Sequence, residues 1–160
     1  MPGAMEKQPT VAFFPEPGAF GPTNNCTGIG SILRERGMRV VFVVEESFRG
    51  ELEAKGFEER LMRLAPPPEK EEEPGEGWAE FIRVTAPEFR KPTIEQLESV
   101  TYPIWVELVN GAKFAHDRLM EIWDDVRPDV IVSDNVTGFP AVPTAWRTAS
   151  FWRATRCGSA

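Results

Sequence analysis

Residues 10–44, TVAFFPEPGAFGPTNNCTGIGSILRERGMRVVFVV, hold two unbroken apolar runs separated by a Gly/Pro segment and one helix-length stretch. The first run, residues 11–14, is apolar at every position and is stopped by Pro15, Pro17 and Gly18. A strand without alternation is one buried on both faces, as inside a parallel sheet. Ile29, Ile32 and Leu33 then share a helical face, and Gly37 stands where a left-handed residue would end that helix before residues 40–44 return to β character. The order is β-loop-α-β, for which a right-handed crossover is the rule. Open parallel sheets place ligands at the carboxyl ends of their strands, so residues 15–25 are the first candidate segment for a site. A purely structural connector fits the same spacing.

The chain has 160 residues, enough for one sizeable core, and we expect one domain or one half of a larger protein. With 18 basic and 25 acidic side chains its net charge is -7, which argues against a nucleic-acid surface. Cys26 and Cys157 are too few and too far apart for a disulfide framework or a metal cluster; no metal site is expected, and a reducing cytoplasm suits the composition. No apolar run approaches ~18 residues and the first ten lack an apolar signal core, so neither membrane insertion nor secretion is expected.

Farther along, Glu45, Glu46 and Ser47 suit a helix entry, because acidic and hydroxyl groups accept from first-turn amides; a short helix through residues 49–55 is predicted, ended by Gly56. Residues 60–64 form a third apolar patch, suited to an edge strand. Residues 66–77, PPPEKEEEPGEG, combine proline with like charge and read as an exposed mobile loop; they lack the Asp/Asn/Gly pattern of a calcium loop. A short helix is predicted over 78–84. A second opens at Thr93, where Gln96 completes a capping box, and Pro103 interrupts or kinks the chain beyond it. Trp105, Leu108, Ala112, Ala115, Leu119, Ile122 and Val126 then mark the buried stripe of the clearest helix, leaving Glu107, Lys113, Asp117, Arg118 and Asp125 to solvent. His116, the only histidine, lies beside that polar face and reads as an ordinary helix residue.

Arg127-Pro128-Asp129 stops the helix, and residues 130–132 are predicted to form another short buried strand ending in Ser133-Asp134-Asn135. Asp134 would then sit at the same strand-end crevice as residues 15–25, so two separate segments converge there. An N-cap on a helix beginning near Val136 is the alternative role for Asp134.

PDVIVSDNVTGFPAVPTA, the segment 21–40 with its ending RERGMRVVFV, and the strand-helix order resemble the amino-terminal half of GT-B fold glycosyltransferases, nearest to the bacterial macrolide-type and family-28-like relatives of UDP-glucosyltransferases. The resemblance covers residues 10–145. It implies an α/β, Rossmann-like parallel sheet flanked by helices, acting as the acceptor-side domain of an enzyme that moves a sugar from a nucleotide-diphosphate donor to an acceptor hydroxyl. The donor would be UDP- or dTDP-linked and the acceptor small and hydrophobic; no cofactor is implied. Such enzymes carry a histidine base in a Gly-His-x-Asn-Pro setting after the first strand, oriented by an aspartate at the end of a later one. Here Gly21 matches the glycine, Pro22 the histidine, Asn24 the asparagine and Asp134 the aspartate, so the imidazole is missing. Proton removal by a placed base is commonly worth ~10²- to 10⁴-fold. Three routes stay open: Asp134 acts as the base, the reaction relies on positioning, or activity has been lost. We favour Asp134 as the catalytic residue, with Phe20, Gly21, Pro22, Asn24, Asn25 and Asn135 lining the acceptor site. Gly18, Gly21, Gly28 and Gly30 do not make the dinucleotide fingerprint, which suits an acceptor-facing rather than a phosphate-facing loop.

Relatives continue into a donor domain, whereas residues 146–160, WRTASFWRATRCGSA, carry Arg147, Arg153 and Arg156 with two tryptophans and no acid. A truncated or frame-shifted terminus is the simpler reading of this tail, and nucleic-acid or membrane-surface binding the other. Residues 1–9 read as a disordered tail. The partners expected are the acceptor and the missing carboxyl-terminal donor domain. A non-catalytic small-molecule binding or accessory module of the same fold is the alternative function.

Overall fold

The computed structural model describes residues 8–67, 76–134, 137 and 139–142. Four strands, β1 (Thr10–Phe14), β2 (Arg39–Glu45), β3 (Glu58–Met62) and β4 (Val130–Ser133), form one sheet in the order β3-β2-β1-β4. Every pairing is parallel, with Ala12 opposite Val41 and Ile131, and Val44 opposite Leu61. As the unbroken apolar runs require, β1 and β2 are the interior strands, and all five residues of β1 are buried.

Helix α1 (Phe20–Glu35) covers one face of the sheet. There Val11, Phe13, Val40, Phe42 and Val44 pack with Phe48, Leu52 and Phe57, and the Phe13 and Phe42 rings stack 5.2 Å apart. The close approach of α1 depends on Gly30: a Cβ there would lie 3.3 Å from Val40, Phe42 and Phe57 side-chain atoms at once. Gly37 ends the helix with φ of 82°, as its position predicts. Arg34, in the last turn, lies over the Phe57 ring and donates to the carbonyls of Lys55 and Gly56, fastening α1 to the start of β3.

The other face is covered by α4 (Tyr102–Val126), whose Ala115, Leu119, Ile122, Trp123 and Val126 pack on Ala12, Phe14, Val41 and Val43. Phe14 meets the edges of both Trp123 and Phe139. Trp105, expected in this stripe, is 56% exposed, and Trp123 fills the core instead. The sheet meets only the carboxyl-terminal half of α4, so the helical spacing that continues through Trp105 runs past the surface it would cover. The helix ends at Arg127, in the left-handed region at φ of 46°, immediately before Pro128.

Several local expectations are corrected. Residues 49–55 do not form one helix: two 3-10 turns, Glu46–Phe48 and Glu53–Lys55, are separated by Gly50 at φ of 82°. The buried Glu59 carboxylate accepts from the backbone N–H of Gly50 at 2.8 Å, of Leu52, and of Glu53 at 3.0 Å, taking amides that a continuous helix would have used internally. The entry signal does operate, since Glu45 accepts from the Ser47 N–H at 2.7 Å. The third strand is at the edge, as expected, but begins two residues earlier than the apolar patch. Helix α2 (Glu76–Thr85) brackets the predicted span. Thr93 opens α3 (Thr93–Gln96) without a capping box, because the Gln96 amide turns back to the Phe89 and Lys91 carbonyls. At Pro103 the expected interruption takes the form of a π-helical turn, Leu97–Thr101, which directly precedes α4 in a helical run continuous from Thr93.

Strand β4 is not buried. It forms the second edge of the described sheet, with Val130 49% and Val132 37% exposed. It is locked to β1 by a reciprocal pair: the Thr10 N–H donates to the Asp129 carboxylate and the Asp129 N–H to the Thr10 carbonyl, both at 2.8 Å. The 1–9 tail is described only from Gln8, and most of the 66–77 loop and all of 146–160 lie outside the described residues.

Candidate functional site

The carboxyl ends of β1 and β4 are neighbours because the two strands pair in register through Phe14 and Ser133. The chain leaving β4 is tied to the end of β1: the Asp134 N–H donates to the Phe14 carbonyl at 3.2 Å. The Asp134 carbonyl in turn accepts from the Thr137 N–H at 3.1 Å and hydroxyl at 2.7 Å, with that hydroxyl 3.5 Å from the Phe14 carbonyl. Thr137 is fully buried. Asp134 is thus held at the strand-end edge by its backbone, half-buried, one residue beyond β4.

The connection after β1 is shorter than the sequence suggests. It spans residues 15–19, with Gly18 at φ of 73°, and α1 begins at Phe20. Phe20, Gly21, Pro22, Asn24 and Asn25 therefore occupy the first two turns of a helix, not a loop. Pro22 is accommodated because a first-turn N–H has no intrahelical acceptor to lose. Asn24, Asn25 and Gly21 are exposed, Pro22 is half-buried, and Phe20 stands edge-on to Phe48 at 5.2 Å. Asn135 lies outside the described residues. The structure brings Asp134 and the start of α1 to one edge of the sheet, as the converging segments implied.

A small concavity at this edge is lined by Pro15, Glu16, Pro17, Gly18, Thr23, Val44, Glu45 and Phe48. Five of these residues belong to the candidate segment 15–25, but none of the individually named candidates, Phe20, Gly21, Pro22, Asn24, Asn25 and Asp134, lines it. Thr23 lines it, buried where Asn24 and Asn25 are exposed, and its hydroxyl is spent on the Ala19 carbonyl at 2.8 Å.

Glu16 is the residue that sequence inspection misses. Burial raises its carboxyl pKa, and the negative charge of Asp134 raises it further. The Cys26 thiol is pushed up by the same two causes in the same order. Asp134 therefore shares its electrostatic surroundings with the β1–α1 connection and with the second turn of α1. Two carboxyl groups thus stand at the ends of adjacent strands, and burial together with the Asp134 charge favours the protonated form of Glu16. Among the described residues no three His, Cys, Asp or Glu side chains come together to hold a metal ion, and no helix is long and apolar enough to cross a membrane.

No protein-family model matches the chain, and no curated protein does. Among solved structures, the crystal structure of CalG4, the calicheamicin glycosyltransferase, is similar over 89% of this chain with a TM-score of 0.56 and 22% sequence identity. The likeness defines the class: a glycosyltransferase-like α/β fold, its parallel sheet flanked by helices in the manner of a GT-B amino-terminal domain. The chain spans 30% of the length of that glycosyltransferase.

Proposed function

We propose that this chain is the acceptor-side part of a glycosyltransferase. The observation that carries the proposal is the meeting of Asp134 and the Glu16 connection at one strand-end edge, in a fold shared with a glycosyltransferase. In this reading a small hydrophobic acceptor lies over the amino-terminal turns of α1, with Phe20, Gly21, Pro22, Asn24, Asn25 and Asn135 around it. Asp134, with Glu16 beside it, takes the acceptor hydroxyl proton. The acceptor oxygen forms its bond to the anomeric carbon as the bond from that carbon to the nucleotide diphosphate breaks, and the electron pair leaves on the diphosphate. UDP- or dTDP-linked sugars are the donors proposed, the donor site lies on a further domain, and the reaction is assigned to the cytoplasm.

The electrostatics suit this division of labour. An acceptor hydroxyl is a weak acid, and a carboxylate placed to accept its proton as the glycosidic bond forms lowers the barrier to attack. Burial first, and the like charge of Asp134 second, favour the protonated form of Glu16.

One observation favours a second reading, a non-catalytic binding module: Pro22 stands where relatives carry a titratable base. Transfer assays separate the two. The chain joined to its donor domain, supplied with UDP- and dTDP-sugars and a panel of phenols and hydrophobic alcohols, is expected to form glycoside with at least one acceptor. Acceptor binding without transfer across the whole panel supports the module instead.

A further inference from the structure

A second concavity, open and about 470 Å³ in volume, runs along the free edge of β3 and is set apart from the β1/β4 edge. Its size is that of a small-molecule site. In a chain of net charge -7 it gathers four arginines, Arg49, Arg60, Arg63 and Arg118. Two of them are anchored. Arg60 donates to Asp125 at 3.0 Å and to the Glu59 carbonyl at 2.9 Å, and Arg118 donates to Glu121 at 3.0 Å and to the Leu61 carbonyl at 3.2 Å. These bonds occupy the unpaired carbonyls of the edge strand and fix one wall.

The other two are not matched in charge. Arg49 and Arg63 both pair with one carboxylate, that of Glu46. A guanidinium carries five N–H donors, and among the described residues neither arginine pairs with a second carboxylate, so two cations share one anion. Their hydrogen bonds and field hold the Glu46 carboxyl below its usual range, Arg49 contributing most and Arg63 adding to it, against the opposing effect of burial. Glu59, the other acid of the groove, accepts from three backbone N–H groups and is paired with neither Arg49 nor Arg63. Phe114, half-exposed on α4, gives the groove an apolar side.

We propose that this groove binds an organic phosphate, its phosphoryl dianion held by Arg49 and Arg63 in the place now taken by the Glu46 carboxylate and its apolar part against Phe114. A dianion balances two guanidinium charges where the carboxylate balances one, and phosphoryl oxygens match the guanidinium fork. Glu46 is then a resident competitor, displaced when the ligand enters. Binding at this groove does not depend on glycosyl transfer at the other edge.

Titration calorimetry of the full chain with phenyl phosphate, inorganic phosphate and phenol tests it. Phenyl phosphate is expected to saturate one site, more tightly than inorganic phosphate, with phenol bound weakly or not at all. Arg63→Gln and Arg49→Gln should each weaken phenyl phosphate by about tenfold, the scale of a lost charge-assisted pair. Arg83→Gln, on α2 and paired with Glu80, is the control and should change nothing. Glu46→Gln is the deciding variant: removing the competitor should tighten binding by roughly five- to tenfold. Unchanged or weaker binding to Glu46→Gln, or equal loss in the Arg83 variant, or phenol binding as well as phenyl phosphate, overturns the proposal. Urea midpoints of all variants, measured alongside, identify any that lose the fold, and Glu46→Gln at a wild-type midpoint decides the question alone.

Discussion

Gly28 and Gly30 lie two residues apart on α1, and the structure gives them opposite answers to the same substitution. Alanine in place of a glycine inside a helix gains about 1 kcal/mol from backbone propensity. At Gly28 a Cβ meets nothing within 4 Å, so Gly28→Ala should stabilise by about 0.5–1 kcal/mol. At Gly30 the same Cβ meets Val40, Phe42 and Phe57 at 3.3 Å each, and all three are buried side chains with little room to give. Overpacking of a close-packed site costs typically ~1–3 kcal/mol, which cancels or exceeds the propensity gain. The expected outcome is a Gly30→Ala chain about 1–3 kcal/mol less stable than Gly28→Ala, read from urea unfolding followed by far-ultraviolet circular dichroism with a common slope. Equal stabilisation by the two substitutions would refute the close packing of α1 on β2.

Two further outcomes rest on single carboxyl groups. Glu16 has a raised pKa in the folded chain, so the native state holds its proton more firmly than the unfolded one, and stability falls as pH rises from the unfolded value through the raised folded value. Glu16→Gln should remove that fall, and its stability relative to the parent should therefore improve as pH rises above the ordinary glutamate value of 4.5; a difference that stays constant as pH rises contradicts the assignment. Glu59→Gln leaves three backbone N–H groups with a weaker acceptor in a buried place, and should cost about 2–3 kcal/mol in the same unfolding assay, the scale of hydrogen bonds to a charged group. A loss under about 0.5 kcal/mol, typical of ordinary surface changes, would show that Glu59 does not organise residues 50–53.

The parts of the fold legible in the sequence are those where burial leaves a one-dimensional trace. Residues 11–14 and 40–44 are apolar at every position because both faces of β1 and β2 are covered, and Gly37 is a glycine because its φ is positive. What escapes is set by contacts between distant segments. Trp105 and Trp123 both fit a helical stripe, and only the extent of the sheet decides which is buried. The turns after β2 depend on Glu59, nine residues beyond Gly50, reaching back to their amides. Pro22 reads as a loop residue because proline does not reveal whether it sits before a helix or within its first turn. Glu16 is silent for the same kind of reason. It feels the charge of Asp134 only because β4 pairs with β1, and strand order is absent from either local pattern.

Everything proposed for catalysis turns on the carboxyl pair at the β1/β4 edge taking the acceptor proton, and Asp134→Asn isolates that role. The substitution keeps the backbone bonds through Phe14 and Thr137 while removing the charge. If the proposed function holds, kcat for transfer to a phenolic acceptor by the chain joined to the proposed donor domain should fall by ~10²- to 10⁴-fold with KM changed little. Burial, the main cause of the raised Glu16 pKa, remains, but Glu16 should titrate at somewhat lower pH because the added effect of the Asp134 charge is gone. An Asp134→Asn protein that transfers sugar at the parent rate would show that the proton goes elsewhere.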